Sequence, residues 1–300
     1  LKGLAVRFFA LILLTILAFD AGAAERPERP VVLITGAFRG LGLGVGENLL
    51  AKGYRVVFAG RNTLEVPKRI AENSDAMTVK LDLSNDATFQ PAIDAIVARW
   101  GRLDVVVHNA GVVVASASDQ ISMDELQKST ITNFMGPVHL TQLVIKMFKA
   151  QGFGRIVYIS SASSILRQPG LAMYTSTKMA AEGYFETLAG ELRAQQDQYD
   201  VDVSILRLSF VRGDYTPTVA SHAGSNVDPD LETMMAWLRN HSPTSVTTVA
   251  ESVQKVIEAE NASPLTNVGI DGKTMGLYSL LPRSIQDTCS RFLSFGARFI

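Results

Sequence analysis

Short runs of branched apolar residues recur along the chain, separated by longer stretches in which apolar positions return every three or four residues. The first run is Val31-Val32-Leu33-Ile34-Thr35; Arg55–Gly60, Met77–Leu81, Asp104–His108, Arg155–Ser160 and Val201–Leu208 follow it. Their near-continuous apolarity predicts strands covered on both faces. Between the first two, Val45, Leu49 and Leu50 share one side of a helix that carries Glu47, Asn48 and Lys52 elsewhere. Ser122–Lys149 reads as a long helix opened by the capping-box pattern Ser122-Met123-Asp124-Glu125, and a second runs from Tyr174 to Gln196. This alternation predicts an α/β fold, a Rossmann-type doubly wound parallel sheet, in one domain over residues 31–275.

The ends of the chain follow other patterns. Lys2 and Arg7 precede an apolar run from Phe8 to Phe19, and Asp20-Ala21-Gly22-Ala23-Ala24-Glu25 follows. A basic start, a short apolar core and an alanine-rich exit predict a hydrophobic signal peptide or an uncleaved signal anchor over residues 1–24. Residues 25–30, rich in proline and arginine, read as a semi-rigid linker. The charge bias places the domain across a membrane from its basic start, in the secretory pathway or membrane-associated, with the side left open. Residues 276–300 set Leu277, Tyr278, Leu280, Phe292, Leu293, Phe295 and Phe299 among basic residues and few acids. Such an amphipathic tail suits a membrane interface or a second subunit, as in a homodimer.

Candidate chemistry sits where strands end. Val31–Thr35 runs into Gly36-Ala37-Phe38-Arg39-Gly40-Leu41-Gly42 and then the amphipathic helix. In a strand–turn–helix context, Gly36 permits a tight turn, Gly40 lets backbone approach a pyrophosphate, and Gly42 allows close helix–strand packing. The helix start adds free N–H groups and a positive dipole end. Further on, Tyr174 and Lys178 stand four residues apart, on one helical face, with Ser161 thirteen residues before the tyrosine. A neighbouring ammonium favours the phenolate, so the pair predicts a tyrosine with lowered pKa, able to donate and accept a proton.

With its Gly-x-x-x-Gly-x-Gly spacing, this set resembles the short-chain dehydrogenase/reductase family over residues 30 to 275. The resemblance implies that Asp82, with Leu83, meets the adenine ring, and that Asn109-Ala110-Gly111 stabilises the sheet beside the dinucleotide. It also implies that Asn133 supports a proton-relay water, that Ser161 orients the substrate oxygen, and that Tyr174 transfers the proton. Lys178 then tunes Tyr174 and binds the nicotinamide ribose, while Val211 offers a backbone N–H to the nicotinamide. Arg61 stands where an acid would bond ribose hydroxyls, and Arg39 adds a second cation; their positions fit the NADP(H)-preferring members. Residues 214–246, with Met234-Met235-Ala236-Trp237-Leu238, fall where the family carries a substrate lid; a helix covering the core is the other reading. The chain departs from the pattern at Leu208-Ser209, where Pro-Gly is usual, at Gly213 in place of threonine, with Thr216 as a substitute, and at Phe38 in the glycine turn.

Composition narrows the rest. A net charge of −1 gives no sign of a nucleic-acid partner, and the single cysteine, Cys289, offers neither an internal disulfide nor a metal cluster. His108 and His139 read as packing residues. The expectation is an NADP(H)-dependent oxidoreductase interconverting a carbonyl and a secondary alcohol on an apolar substrate of steroid, retinoid or lipid type. The alternatives are a non-catalytic NADP(H)-binding sensor or scaffold, and an isomerase or dehydratase using the same cofactor.

Overall fold

Strand β1, Val31–Thr35, is buried at every position, and its side chains divide between two cores: Val31 and Leu33 on one face of the sheet, Val32 and Ile34 on the other. That division is the physical content of an unbroken apolar run. β2 (Arg55–Gly60), β3 (Ala76–Lys80), β4 (Val105–His108), β6 (Phe153–Ser161), β7 (Asp200–Leu208) and β9 (Leu265–Val268) join β1 in a seven-stranded sheet ordered β3-β2-β1-β4-β6-β7-β9. Every pairing is parallel. Two-residue strands β5 (Val113–Val114) and β8 (Val219–Ala220) pair apart from it. In the computed structural model, residues 26–63, 66–213, 219–220, 240–269, 281–282 and 285 are described. The expected leader, Thr216, the Met234–Leu238 segment, Cys289 and the tail apart from Leu281, Pro282 and Ile285 lie outside these residues.

Helices cover both faces. On one side α3 (Phe89–Trp100), α5 (Gly136–Gln151) and α6 (Ala172–Arg193) bury Phe89, Ile96, Leu140, Val144, Phe148, Phe185 and Leu192. On the other, α1 (Gly40–Ala51) and α7 (Val246–Glu258) bury Val45, Leu49, Val249 and Val253, with a single turn, α2 (Lys68–Ala71), beside them. The expected doubly wound sheet is present. Strand β9 and the β5/β8 pair went unread, being short, and β9 is only half-buried at three of four positions. Among the described residues, no helix is long and apolar enough to cross a membrane.

Two expectations are refined by the structure. The helix read over Ser122–Lys149 is divided into α4 (Met123–Thr130), a π-turn at Ile131–Met135, and α5. Its start is as expected: Ser122 Oγ accepts from the Glu125 N–H, and Glu125 Oε2 accepts from the Ser122 N–H at 3.0 Å. The interruption follows from Gly136-Pro137. Pro137 has no N–H to give the Asn133 carbonyl four residues back, so the α-pattern cannot continue there. Gly136 in turn lies so close to Leu83 that a Cβ would stand 2.5 Å from the Leu83 carbonyl oxygen. Second, residues 26–30 of the expected linker are docked on the domain. Arg26 pairs with Asp200 at 2.9 Å and Arg29 with Asp75 at 2.6 Å. Pro30 accepts from the Arg55 N–H, so this segment runs along the edge where strands begin, opposite the glycine turn.

Candidate active site

Four of the sheet's central strands end at one edge, where the order reverses between β1 and β4 and a crevice opens outside the carboxyl ends. Gly36 follows β1 with φ +65, a conformation L side chains avoid, and a Cβ there would meet the Ala110 Cα at 2.9 Å. Asn109, directly after β4, closes the crevice floor: its Nδ2 donates to the Thr35 carbonyl at 2.9 Å and the Gly36 carbonyl at 3.3 Å. Thr35 Oγ1 accepts from the backbone N–H groups of Asn109 and Ala110, both at 3.1 Å. Gly42 packs so closely that a Cβ would lie 2.5 Å from Asn109 Nδ2. α1 starts at Gly40 with no side-chain cap and no acid in its first turn, an end suited to an anion.

Beside that turn, Phe38 is buried against the end of β2, where a Cβ on Gly60 would lie 2.5 Å from Phe38 Cδ2. The residues that follow each of them, Arg39 and Arg61, are both exposed. The aromatic that departs from the family pattern therefore joins the two segments that carry the cations. Asp82 and Leu83 are placed differently from a simple strand end. Asp82 Oδ1 accepts from the Ser84 N–H at 3.0 Å and its hydroxyl at 2.7 Å, while Leu83 is buried against Gly136.

The second half of the site comes from β6 and α6. Tyr174 is buried, with Ser161 placed to favour its ionised form. Ser161 Oγ also accepts from the Ser163 N–H at 3.2 Å, which fixes it at the end of β6. Lys178, one turn along α6, is 4% exposed; its Nζ donates to the Ile159 carbonyl at 2.8 Å and lies 4.8 Å from the centre of the Tyr158 ring. Its distance to the Tyr174 ring centre is 5.8 Å. Asn133, in the π-turn, donates from Nδ2 to the Val112 carbonyl at 2.9 Å and to Thr177 Oγ1 at 3.1 Å, and its Oδ1 accepts from the Val112 N–H at 2.9 Å. Gly111 stands between: a Cβ there would be 3.4 Å from Asn133 Oδ1 and 3.9 Å from Lys178 Nζ.

The electrostatics differ from the sequence expectation. Tyr174 is pushed up to about 12, because burial outweighs the opposing hydrogen bond from Ser161. Lys178 is brought down to about 8 by burial, with the Glu182 carboxylate acting against that. His108, at the end of β4, is brought down to about 3 by burial and by Lys178; it is a neutral packing residue whose Nε2 meets Thr141 Oγ1 at 2.8 Å.

Three further side chains support this half and escaped the sequence reading. Tyr158, under Lys178, donates its hydroxyl to the Asn133 carbonyl at 3.0 Å, the acceptor that Pro137 leaves open. Glu182, a turn beyond Lys178, accepts from Ser160 Oγ at 2.6 Å, Ser164 Oγ at 2.8 Å and Arg207 Nη2 at 2.7 Å. It thereby ties both flanks of Ser161 and strand β7 to the helix that carries Tyr174. The i, i+4, i+8 spacing of Tyr174, Lys178 and Glu182 was a usable signal for the last of these. Among the described residues, no group of three or more His, Cys, Asp or Glu could hold a metal.

The family model described as short chain dehydrogenase matches residues 30–223. An uncharacterised oxidoreductase of Schizosaccharomyces pombe is 32% identical over 163 residues, 54% of this chain and 54% of its own length. A protein of Sesamum indicum named 11-beta-hydroxysteroid dehydrogenase A is 29% identical over 232 residues, 75% of this chain and 63% of its own. These matches thus span between half and two thirds of the relatives' lengths. Among solved structures, a short-chain dehydrogenase from Streptomyces avermitilis superposes with a TM-score of 0.74 at 23% identity, covering 91% of this chain and 98% of that one.

The Glu182–Arg207 pair can be tested by stability alone. Both side chains are largely buried, so Glu182→Leu strands the guanidinium and is expected to cost about 3–5 kcal/mol in denaturant unfolding. Adding Arg207→Met should recover more than half of that loss; an unchanged midpoint in the single variant would show the pair to be uncoupled.

Proposed function

The chain belongs to the short-chain dehydrogenase family, and from that membership we propose that it is an oxidoreductase interconverting a carbonyl and a secondary alcohol, with NADP(H) as its dinucleotide. The observation that carries this reading is the burial of Tyr174 with Ser161 acting on its hydroxyl, and of the Lys178 ammonium one turn behind it, on the same sheet edge as the glycine turn. When bound, the nicotinamide gives or takes the hydride. The rest is the work of the chain. Gly36, Gly40, Leu41 and Gly42 with the open start of α1 receive the pyrophosphate, and Asp82, Leu83, Asn109, Ala110 and Gly111 wall the site from β3 and β4. Val211 offers its N–H to the nicotinamide carboxamide.

Ser161 holds the substrate oxygen and Tyr174 passes it the proton from its hydroxyl. At neutral pH Tyr174 is a proton-bearing acid, because burial keeps it near 12, so the reductive direction finds its donor loaded. Lys178 carries the charge that a departing proton leaves opposite, and Asn133 supports the route by which the proton is replaced. Arg39 and Arg61 receive the 2′-phosphate that distinguishes NADP(H). An apolar substrate, of steroid, retinoid or lipid type, is supported by the Met234–Leu238 sequence and by the relative that bears a hydroxysteroid dehydrogenase name.

Tyr174→Phe removes the proton donor and keeps the ring. Reductase turnover on a panel of steroid, retinoid and lipid ketones is expected to fall about a hundred- to ten-thousandfold; near-normal turnover would sink the assignment. The pH dependence has a defined sign. Lys178 loses its charge as pH rises through about 8, so kcat/KM for reduction should fall by about tenfold per pH unit above that point, well below the titration of Tyr174. A profile flat to pH 10 would remove Lys178 from the reaction. For the dinucleotide, the double substitution Arg39→Ala and Arg61→Ala should weaken NADPH binding by about tenfold or more and leave NADH nearly unchanged, read by fluorescence titration. Equal effects on both would contradict the phosphate role.

A further inference from the structure

The chain after β7 has no proline between Leu208 and Gly213, so no ring fixes its backbone as it approaches the site. Two other segments hold it instead. Ser209, at the end of β7, shares a hydrogen bond with Thr244, 2.9 Å between hydroxyl oxygens, and gives its N–H to the Val268 carbonyl at 3.2 Å. Thr244 is 1% exposed and lies just before α7. Its carbonyl accepts from the Arg212 N–H at 2.8 Å, in a parallel bridge that pairs Val211 with Thr244. Ser242, also buried, donates to the Phe210 carbonyl and accepts from the Thr244 N–H. Gly269, at the end of β9, closes the cluster with φ +115; a Cβ there would stand 2.4 Å from Thr244 Oγ1 and 2.6 Å from Ser209 Oγ. No other residue type fits that approach.

Successive N–H groups of extended backbone point to opposite sides. A bridge that uses the Arg212 N–H therefore turns the Val211 N–H away from Thr244. We propose that Ser209, Thr244 and Gly269 form a latch that positions Val211 and so sets the nicotinamide half of the dinucleotide site, an inference that rests on the cofactor reading above. These are positioning residues, acting through the Val211 backbone. The latch is built from parts of the chain distant in sequence, Ser209 and Thr244 being 35 residues apart, and it does with hydroxyl pairing what a proline ring would do locally.

A latch on the nicotinamide half predicts a split between whole dinucleotide and its adenosine fragment. In calorimetric titrations, Thr244→Val is expected to weaken NADP+ about tenfold, while adenosine 2′,5′-bisphosphate, which lacks the nicotinamide, stays within about twofold. Thr244→Ser keeps the hydroxyl and should bind both as the unaltered chain does. Ser209→Ala removes the other hydroxyl and should repeat the Thr244→Val pattern, which covers the case of a Thr244→Val protein that does not fold. NAD+ and ADP-ribose run beside them as the second pair. Parallel weakening of dinucleotide and fragment, or no weakening of either, overturns the latch. If the unaltered chain binds neither pair, the cofactor reading falls and the latch with it. If it binds only the NAD+ pair, the phosphate preference alone falls, and the latch is judged on that pair.

Discussion

Burying the Lys178 ammonium is the constraint to which the Tyr174 side of this molecule answers. An unpaired buried cation is costly, and the group surrenders part of its proton affinity when burial is only partly offset. The offsets are specific: the Ile159 carbonyl at 2.8 Å, the face of Tyr158 at 4.8 Å, and the Glu182 carboxylate a turn away. Each of these creates a requirement of its own. Tyr158, buried, needs an acceptor for its hydroxyl and finds the Asn133 carbonyl, which is open because Pro137 cannot donate to it. Glu182 needs counter-charge and finds Arg207, and through Ser160 and Ser164 it braces the segment that presents Ser161. A single buried charge thus organises a π-turn, a strand end and an ion pair.

The two halves of the site use different physics. The half around the glycine turn is made of backbone: a left-handed glycine, close approaches at Gly36 and Gly42, an uncapped helix start, and an asparagine whose side chain bonds carbonyls. The half around Tyr174 is made of side chains held by other side chains. The sheet order brings both to one edge, since β1 and β4 are neighbours where the winding reverses and β6 lies next to β4.

Legibility in the sequence follows from that difference. Strands covered on both faces announce themselves as apolar runs, and the glycine turn, Ser161, Tyr174 and Lys178 are encoded by local spacing. β9 is too short and too exposed to give a period; Pro137 marks locally where the helix pattern fails, but what Asn133 and Gly136 meet there, Val112 and Leu83, is distant in sequence. The Glu182–Arg207 pair is 25 residues apart and the Ser209–Thr244 pair 35, so no motif window contains either. The direction of the Tyr174 shift was misread for the same reason. Spacing reveals a cation nearby, but burial is a property of the assembled core, and here burial wins.

In the proposed reaction, that reversal does not remove Lys178 from the chemistry; it changes when the charge acts. The order in which the two groups lose their protons decides what each feels. Lys178 loses its proton near 8, so by the pH at which Tyr174 would ionise, near 12, no ammonium remains to stabilise the phenolate. At neutral pH the situation is opposite: Lys178 is mostly charged and Tyr174 holds its proton. A phenolate formed for the moment of transfer then faces an ammonium in a place that excludes water, where the attraction is stronger than in solution. The charge pair is thus reserved for the state in which the proton has moved. An interaction made only then lowers a barrier without stabilising the resting site.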